Sequence, residues 1–286
     1  MKNKSIRKDL FFWFSKIWIQ LVILLITPLV VSLVVGNTLT STEISKISTR
    51  NYFLRTIYEL FTDKGIASFI MIFIITFSTI FIFLRNMNKD SLLNDGQNIY
   101  MHDQYIRLWI ASKLLGYSKL YLVGVSLPLQ FKLILEGTFK EYTSESSTTN
   151  YVILNGEIIV DDSEMVKKNN EDCPLVLLIC DTYDIENEQI VEPYKKYPRV
   201  KISSPNTDDG IRYDNPELVV VVRKITQQYI SQFPEIIVLA TMNPKNSMKI
   251  IGDSFAQSGR NGFKKITVLQ MGENRKYLDE YIVFEK

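Results

Sequence analysis

Residues 65–84 read Gly-Ile-Ala-Ser-Phe-Ile-Met-Ile-Phe-Ile-Ile-Thr-Phe-Ser-Thr-Ile-Phe-Ile-Phe-Leu and contain no charged side chain. A helix needs about 20 such residues to cross ~30 Å of hydrocarbon. The β-branched and aromatic content would suit a strand in water. In lipid, however, a lone segment must satisfy its own backbone hydrogen bonds, and only a helix does so. The stretch therefore predicts a membrane-spanning helix, with a buried core helix as the alternative.

A second apolar run, residues 17–36, has a similar length and contains a central proline, Pro28. Proline is tolerated in membrane helices because neighbouring groups satisfy the carbonyl that it frees. Trp13 and Trp18 lie near the start of this run, where aromatic rings favour the headgroup level. A cleaved signal peptide is the alternative, but the run is too long and no clear cleavage site follows. We predict two spans joined by an outer loop over residues 37–64.

The outer loop is predicted to begin with a polar, flexible segment, residues 37–43. Residues 51–62 place four apolar side chains on one helical face, which predicts a short helix. Two interpretations stay open: a helix lying on the outer membrane surface, or a packed loop helix with no role of its own. The apolar positions are Phe53, Ile57, Leu60 and Phe61.

Basic residues indicate how the chain is oriented. Five of them precede the first run, and Arg85 and Lys89 follow the second, whereas acidic residues partly offset the four basic residues of the loop. The positive-inside rule then predicts a multi-pass protein with both termini in the cytoplasm. We therefore divide the chain into a membrane hairpin, residues 1–90, and a cytoplasmic domain, residues 91–286.

Composition excludes several classes of function for the cytoplasmic domain. The net charge of +2 gives no broad basic surface, so direct DNA or RNA binding is not expected. Cys173 and Cys180, with no histidine nearby, form neither a metal cluster nor a disulfide framework. The chain has one histidine, His102, and lacks the Gly-x-Ser-x-Gly, Walker and Gly-x-Gly-x-x-Gly motifs. We predict no catalytic residue, no metal and no cofactor.

The cytoplasmic domain alternates strands and helices. A continuous apolar strand, Leu175 to Cys180, indicates burial on both faces, as in parallel sheets. A helix is predicted from Pro216 to Phe233, capped by Asp214 or Asn215. A β-α-β unit follows, with strand 236–240, helix 247–258 and strand 265–271. Crossovers of this length require parallel pairing and a right-handed connection, so the predicted fold class is α/β and Rossmann-like.

Smaller elements are predicted in the rest of this domain. A linker is predicted over 86–96. A helix follows from about Tyr100 to Leu115, and its side chains at helical spacing are Ile106, Trp109, Ile110, Lys113 and Leu114. The remaining elements are a strand over 120–125, a strand or helix over 129–135, a hairpin at Asn155-Gly156 within 151–160, and a short edge strand at Val200–Ile202.

The candidate binding site is the crevice beyond the carboxyl ends of the strands, where open α/β sheets bind ligands. Gly124 to Ser126, Asp181 to Tyr183, Thr241 to Asn243 and Gln270 to Gly272 follow these strand ends. The segment Thr241 to Ser247 precedes a helix N-terminus, which attracts anions such as phosphate. The alternative is a plain connecting turn capped by Asn246 or Ser247.

The segment Ile236-Ile-Val-Leu-Ala-Thr-Met-Asn-Pro-Lys-Asn-Ser-Met-Lys-Ile-Ile-Gly-Asp resembles the last β-α-β unit of SAVED domains. These are nucleotide-sensing modules related to the CRISPR-associated Rossmann-like (CARF) domains. The strand at Leu175 and the helix at Pro216 fall in the same order. Together with two N-terminal spans, the chain resembles the transmembrane SAVED effectors of bacterial CBASS anti-phage systems.

This resemblance implies a function and a site. It implies a bacterial inner-membrane effector that senses a cyclic di- or oligonucleotide made by a cGAS-like synthase, forms a homo-oligomer and disrupts the lipid bilayer to abort infection. Thr241, Asn243, Pro244 and Ser247 match the segment that borders the nucleotide pocket, whereas Ser126 and Thr182 are placed only by the strand-end rule.

Two alternatives of other classes stay open. One is a membrane-tethered enzyme acting on nucleotides, with Asp181, Asp184 or Glu235 as acid or base. The other is a membrane scaffold whose soluble domain binds a protein partner.

Overall fold

The computed structural model describes residues 11–38, 41–94, 99–102, 104–144, 151–154, 156–165, 173–205, 213–256, 262–272 and 274–286. The chain divides into two compact units. The first comprises Met1–Leu93 together with Ile106–Lys119, and the second comprises Asn94–Tyr105 together with Leu120–Lys286.

Two long helices dominate the first unit. Helix α1, Ile19–Thr38, continues a π-helical turn at Phe14–Trp18, and helix α4 is Lys64–Asn88. The apolar stretches of both helices are long enough to cross a membrane, yet only 22% and 17% of their residues are buried. The core helix of a soluble protein would be mostly buried, so these apolar faces suit contact with lipid. The predicted span 65–84 lies within α4, and the predicted span 17–36 lies within α1 and the π-helical turn before it.

Helix α1 packs against α4 through a narrow stripe of side chains that recur every fourth residue. The buried members of the stripe are Gln20, Leu24, Pro28 and Ser32. A spacing of four keeps side chains on one helical face. The Ser32 hydroxyl donates a hydrogen bond to the Pro28 carbonyl at 2.5 Å, which satisfies this polar group inside the apolar stripe.

A buried hydrogen-bonded cluster, which we name the amide clamp, consists of Gln20, Asn88, Tyr117 and the carbonyl of Leu115. The Asn88 amide donates to Gln20 Oε1 at 2.6 Å and to the Leu115 carbonyl at 2.8 Å. The Gln20 amide in turn donates to the Tyr117 hydroxyl at 3.0 Å. All three side chains are at least 90% buried. The clamp thus joins α1 and the end of α4 to the segment just before Lys119.

Gly116 allows this segment to approach α4 closely. Its φ is +87°, and a Cβ atom there would lie 2.7 Å from the Arg85 Cα. Glycine alone tolerates both the left-handed backbone and this contact. The Arg85 guanidinium also donates a hydrogen bond to the Lys113 carbonyl at 2.6 Å, which anchors the same turn.

The loop between the spans is helical, and this corrects one prediction. Helices α2, Ser41–Thr49, and α3, Tyr52–Leu60, fill most of it. The prediction of a flexible segment over 37–43 was wrong, because α1 continues to Thr38 and α2 begins three residues later. The short helix predicted over 51–62 is present as α3. The predicted linker at 86–96 likewise begins late, since α4 runs to Asn88.

The second unit is built on a six-stranded sheet with the order β10-β9-β8-β5-β6-β4. Strands β5, β6, β8 and β9 are parallel, and the two outer strands are antiparallel to their neighbours. The bounds are β4 Ile159–Asp161, β5 Leu175–Cys180, β6 Arg199–Ser203, β8 Glu235–Thr241, β9 Lys265–Met271 and β10 Tyr277–Glu285. The predicted α/β fold class is therefore confirmed.

Side chains of β5 alternate between two buried layers. Leu175, Leu177 and Ile179 join the larger apolar cluster, while Val176, Leu178 and Cys180 join the smaller one on the opposite face. The larger layer includes side chains of three helices, and the smaller layer includes the connection between β5 and β6. The helices are α6 Leu127–Leu135, α7 Pro216–Tyr229 and α8 Pro244–Ile250, which a π-helical turn at Ile251–Phe255 continues.

The shorter elements differ from several predictions. The hairpin at Asn155-Gly156 was wrong: β3, Val152–Ile153, pairs in parallel with β7, Tyr213–Asp214, whereas β4 pairs with β6. The strand around Val200 is not an edge strand, because β4 covers it. Asn155 itself lies outside the described residues.

Three further predictions concern elements between residues 100 and 135. Residues 127–135 form a helix, and the strand predicted at 120–125 is reduced to β1, Lys119–Tyr121, which pairs with β2, Glu141–Thr143. The helix predicted from Tyr100 begins at Tyr105, as α5, Tyr105–Trp109, and continues in a π-helical turn. It buries Leu108, Ala111 and Leu115, so the face predicted from Ile106 and Trp109 was wrong.

The central strand should tolerate truncation poorly. Leu177→Ala removes a fully buried side chain and should lower the free energy of unfolding of the second unit by about 2–5 kcal/mol. The loss of stability is measured by labelling the buried Cys180 thiol in full-length, detergent-solubilised Cys173→Ser protein. In urea, the less stable variant should expose this thiol more often and be modified faster. The matched control Val220→Ala, on the exposed face of α7, should change stability by less than about 0.5 kcal/mol. Equal labelling rates for the two variants would contradict this account of the core.

Candidate functional site

The crevice at the carboxyl edge of the sheet lies between β5 and β8. The chain leaves β5 toward the smaller apolar layer, through Ile185 and Ile190, and leaves β8 toward the larger layer, through α8. Two adjacent parallel strands whose connections depart to opposite faces leave a crevice between the loops, and open α/β folds bind their ligands there. The topology thus identifies the ends of β5 and β8 as the candidate site.

The Asp181 carboxylate, directly after β5, is the centre of the site. Its Oδ2 atom accepts hydrogen bonds from the Asn243 backbone at 3.3 Å, the Asn243 amide at 3.1 Å and the Asn246 amide at 2.9 Å. Both asparagine amides also donate to the Tyr213 carbonyl, at 2.7 and 3.1 Å. Asp181 therefore joins the end of β5 to the start of α8 and to β7.

A third asparagine, Asn215, extends this network. The Asn215 backbone donates to Asn246 Oδ1 at 3.0 Å, and its side chain both donates to the Ser204 hydroxyl at 2.9 Å and caps α7 through the Leu218 amide at 3.1 Å. The buried side chains of Asn215 and Asn246 thereby find hydrogen-bond partners, as buried polar groups require. The ends of four strands, β5, β6, β7 and β8, meet in one hydrogen-bonded network.

Burial raises the pKa of Asp181, and the hydrogen bonds from Asn246, Asn243 and Ser204 only partly oppose this effect. Asp214, on β7, behaves differently. Burial acts to raise its pKa as well, but Lys249 at 2.7 Å and Lys245 at 3.2 Å outweigh it and hold the pKa of Asp214 below its ordinary value. Among the described residues, Asp181 thus has amide donors and no cationic partner, whereas Asp214 has two ammonium groups.

A cavity of about 380 Å³ opens beside Asp181, at the carboxyl ends of β5 and β6. Its polar lining carries three carboxylates, Asp161, Asp181 and Asp184, and one ammonium group, Lys201. Lys201 bonds Asp184 at 2.8 Å and holds the pKa of that carboxyl below its ordinary range, against the opposing effect of burial. The remaining lining is Ile159, Cys180, Tyr183, Ser203, Ser204 and Pro205.

The structure brings together three of the predicted site residues. Thr182 donates to the Thr241 carbonyl through both its backbone, at 2.8 Å, and its hydroxyl, at 2.9 Å, and the Thr241 hydroxyl donates to the Tyr183 carbonyl at 2.6 Å. Asn243, two residues after Thr241, caps α8 by accepting from the Lys245 and Asn246 backbones. These residues all lie at the crevice. Their polar atoms are engaged within the protein.

The other predicted residues lie on either side of this group. Pro244 is the first residue of α8, and Ser247, fully buried, donates to Gln130 on α6 at 2.5 Å. Ser126 precedes α6, and its hydroxyl donates to the His102 carbonyl at 3.3 Å. The His102 ring approaches Gln270, on β9, at 3.3 Å, which places Ser126 at the β9 end of the sheet edge.

The three carboxylates of the enzyme alternative do not form one group. Asp181 and Asp184 follow β5, whereas Glu235 begins β8 and lies at the opposite edge of the parallel sheet. Among the residues that the structure describes, no three His, Cys, Asp or Glu side chains are arranged to hold a metal ion.

Sequence reasoning missed the contribution of β6 to the site. Ser203 and Ser204 end this strand and line the cavity together with Lys201. The strand-end rule would have identified them if the strand at Val200 had been placed inside the sheet. Asn215 and Asn246 were considered only as helix caps, and their side chains serve both as caps and as links between strand ends.

These features define a class of protein: a membrane-anchored chain with two apolar helices and an α/β domain that has a crevice at its carboxyl edge. The family model for the SMODS- and Ubiquitin system-associated 2TM effector domain (SUa-2TM) matches residues 2–283. The chain therefore belongs to this family of two-transmembrane effectors. The predictions of a transmembrane effector and of membrane localisation agree with the family.

Solved structures offer a weaker comparison, and no curated protein sequence matches the chain. Two structures of the Acinetobacter baumannii Cap4 SAVED/CARF-domain containing receptor are similar, one with the cyclic trinucleotide 2'3'3'-cAAA and one with 3'3'3'-cAAA. They share 10% and 11% identity and have a TM-score of 0.42. The matches cover 63% of this chain and 42% of the receptor chain, and they define no residue correspondence at the site.

The two aspartates should respond to pH in opposite directions. Because burial raises the folded pKa of Asp181, the stability it contributes is present below its unfolded pKa of about 3.9 and is lost as the pH rises through the folded value. Wild type should therefore lose stability relative to Asp181→Asn as the pH rises from the unfolded pKa to the folded one. For Asp214, whose pKa is lowered, wild type should gain stability relative to Asp214→Asn as the pH rises from the folded pKa to the unfolded one.

Amide hydrogen exchange in β9 of the full-length protein measures both differences. Asp181→Ala supplies a further check, because it removes the acceptor of the Asn243 backbone and one of the two acceptors of the Asn243 and Asn246 amides, at a cost of about 2–4 kcal/mol. Parallel pH profiles for the Asp181→Asn and Asp214→Asn proteins would refute this assignment.

Proposed function

We propose that this chain is a membrane-anchored effector whose α/β domain binds a cyclic di- or oligonucleotide at the crevice and cavity formed by β5, β6 and β8. Ligand binding then drives the chain to form a homo-oligomer, and the paired spans disrupt the bacterial inner membrane and abort phage infection. The observation that carries this proposal is the cavity beside Asp181, next to the switch point of the sheet, in a chain of the two-transmembrane effector family.

The chemistry of the cavity suits the neutral parts of a nucleotide. Its volume of about 380 Å³ is at the lower end of the roughly 300–1,000 Å³ typical of ligand sites, which suits one nucleoside. Carboxylates are acceptors only, so Asp181 and Asp184 would accept hydrogen bonds from ribose hydroxyls or exocyclic amines. The same carboxylates repel phosphate, and the phosphodiester linkages would lie outside, toward Thr182 and the solvent.

The SAVED/CARF receptor bound to cyclic trinucleotides agrees with this choice of ligand class but does not determine it. Within the first unit, the absence of charged residues from residues 65–84 argues against a transporter or ion relay, whose spans carry ionisable groups. If the α/β domain clusters the spans to which it is joined, the spans need no ionisable side chain.

Ligand binding must favour the assembled state energetically. A ligand with equal affinity for the resting and assembled states shifts nothing, so the messenger must bind the assembled state more tightly. We place the resting-state lock in the amide clamp, because it holds both spans to the segment from which the chain continues through β1 into the sensing unit.

Binding should depend on the cavity carboxylate at Asp184. Asp184→Ala removes a proposed acceptor for ligand hydroxyl or amine groups, together with the ion-pair partner of Lys201. The substitution should therefore weaken nucleotide binding at least tenfold, about 1.4 kcal/mol. The experiment measures thermal stabilisation of full-length protein in nanodiscs by cyclic di-, tri- and tetranucleotides and by their linear counterparts. Glu188→Ala, an exposed acidic residue on the same connection, serves as the control and should bind like wild type. No stabilisation of wild type by any cyclic nucleotide would overturn the proposed ligand.

Loosening the amide clamp should activate the effector. Asn88→Leu removes two of the three hydrogen bonds of the clamp and should depolarise the membrane of expressing cells without a messenger-producing synthase, as read with a membrane-potential dye. Asn86→Leu, an exposed position on the same helix, should leave the potential intact unless the synthase is present. If wild type together with its synthase and phage leaves the potential unchanged, the effector mechanism fails, whatever the binding result.

A further inference from the structure

Within the part of the chain that the structure describes, helix α3 in the loop between the spans leaves part of its apolar surface uncovered. None of its nine residues is buried, and Phe53 and Leu60 are 61% and 74% exposed. Seven residues separate these two, so they lie about 20° apart around the helix axis and form one ridge. Leu54 and Ile57, on the flank of the ridge, are half-buried against the rest of the unit.

Side-chain hydrogen bonds cap both ends of helix α3. The Asn51 side chain caps its first turn by accepting from the Phe53 amide at 2.9 Å. The Lys64 ammonium donates to the Tyr58 carbonyl at 2.9 Å and to the Phe61 carbonyl at 3.1 Å. Such caps matter because nine residues are too few for a stable helix in water by propensity alone.

The opposite face of α3 is polar and carries two opposite charges that pair with each other. Arg55 and Glu59 are one helical turn apart and form an ion pair at 2.7 Å, with both side chains about 60% exposed. An exposed pair of this kind adds little stability but keeps both charges on the water side. The helix thus has an apolar ridge and a charged face, which is the pattern of helices that lie in a membrane interface.

Chain connectivity places the ridge at the membrane surface. Leu60 is four residues from Lys64, where α4 begins, so at most about 14 Å of chain separates them. Helix α4 becomes continuously apolar from Gly65. The ridge therefore ends within about 14 Å of the first residue of the second span. Tyr52, Phe53, Tyr58 and Phe61 add the aromatic side chains that favour the headgroup level.

We propose that α3 is a lipid-binding surface, in which Phe53 and Leu60 insert into the outer leaflet next to the second span. The helix anchors the loop end of the hairpin at a fixed depth and wedges apolar side chains into the outer leaflet. This role does not depend on the identity of the messenger and would hold for any signal that the second unit receives.

Position-specific labelling in bilayers tests this surface. Single cysteines replace Phe53, Leu60, Arg55 or Glu59 in full-length Cys173→Ser protein, where Cys180 labels slowly because burial raises its pKa to about 11. An environment-sensitive fluorophore on each cysteine is measured in proteoliposomes with and without brominated lipids. Labels at 53 and 60 should shift to the blue and be quenched at least twofold more by brominated lipids than labels at 55 and 59, on the opposite face of the helix.

Two results would overturn the proposal. Equal water exposure of all four labels would place the ridge in solvent. A blue shift at 53 and 60 without quenching by brominated lipids would place it against another protein surface, such as a second copy of the chain. Because Phe53→Cys and Leu60→Cys are tested separately, failure of one variant to fold leaves the other as a test. Failure here leaves the proposed messenger binding intact, since these labels lie in the other unit.

Discussion

The carboxylate of Asp181 is the constraint on which the arrangement of the candidate site depends. One oxygen accepts three hydrogen bonds from Asn243 and Asn246, and these asparagines also bond Tyr213 and, through Asn215, reach Ser204. A buried charge with several donors is costly to form and costly to break. Asp181 lies at the switch point, at the base of the crevice, and the cavity opens beside it.

The N-terminus of α8 shows how this network changes the expected chemistry. Sequence reasoning treats the turn after β8 as a phosphate site because the helix begins there. In the folded chain, Asn243 caps the helix and Asp181 accepts from the Asn243 backbone and from the amides of Asn243 and Asn246. These donors already have an anionic acceptor within the protein. The surface that stays open to a ligand is the neighbouring cavity, where acceptors outnumber donors and favour hydroxyl or amine groups.

The amide clamp has the corresponding role in the first unit. Asn88 and Gln20 are polar residues at the ends of apolar helices, and each bond they make would otherwise be an unsatisfied buried group. Their partners come from a segment 27 to 97 residues away in the chain. A buried network of this kind specifies one arrangement of two helices whose remaining contacts are nonspecific and apolar, so it is well placed to hold a resting state.

The sequence alone determined the two long apolar helices, the α/β class, the central strand Leu175–Cys180 and the β-α-β unit after Glu235. These features follow from local composition and periodicity, because twenty uncharged residues or a continuous apolar run of strand length admit few other structures. It also placed Thr182, Thr241 and Asn243 at one edge, since parallel strands end together.

Only the tertiary structure decided that β4 and β6 pair, that β3 pairs with β7, and that Leu108 rather than Ile106 is buried. Only it showed that Asp181, Asn215 and Asn246 share one network, and that the two carboxylates near β5 lie far from Glu235. Each of these facts depends on pairing and packing between residues distant in the chain. Local propensity carries no information about such partners, because the energy that selects them is released only when the layers assemble.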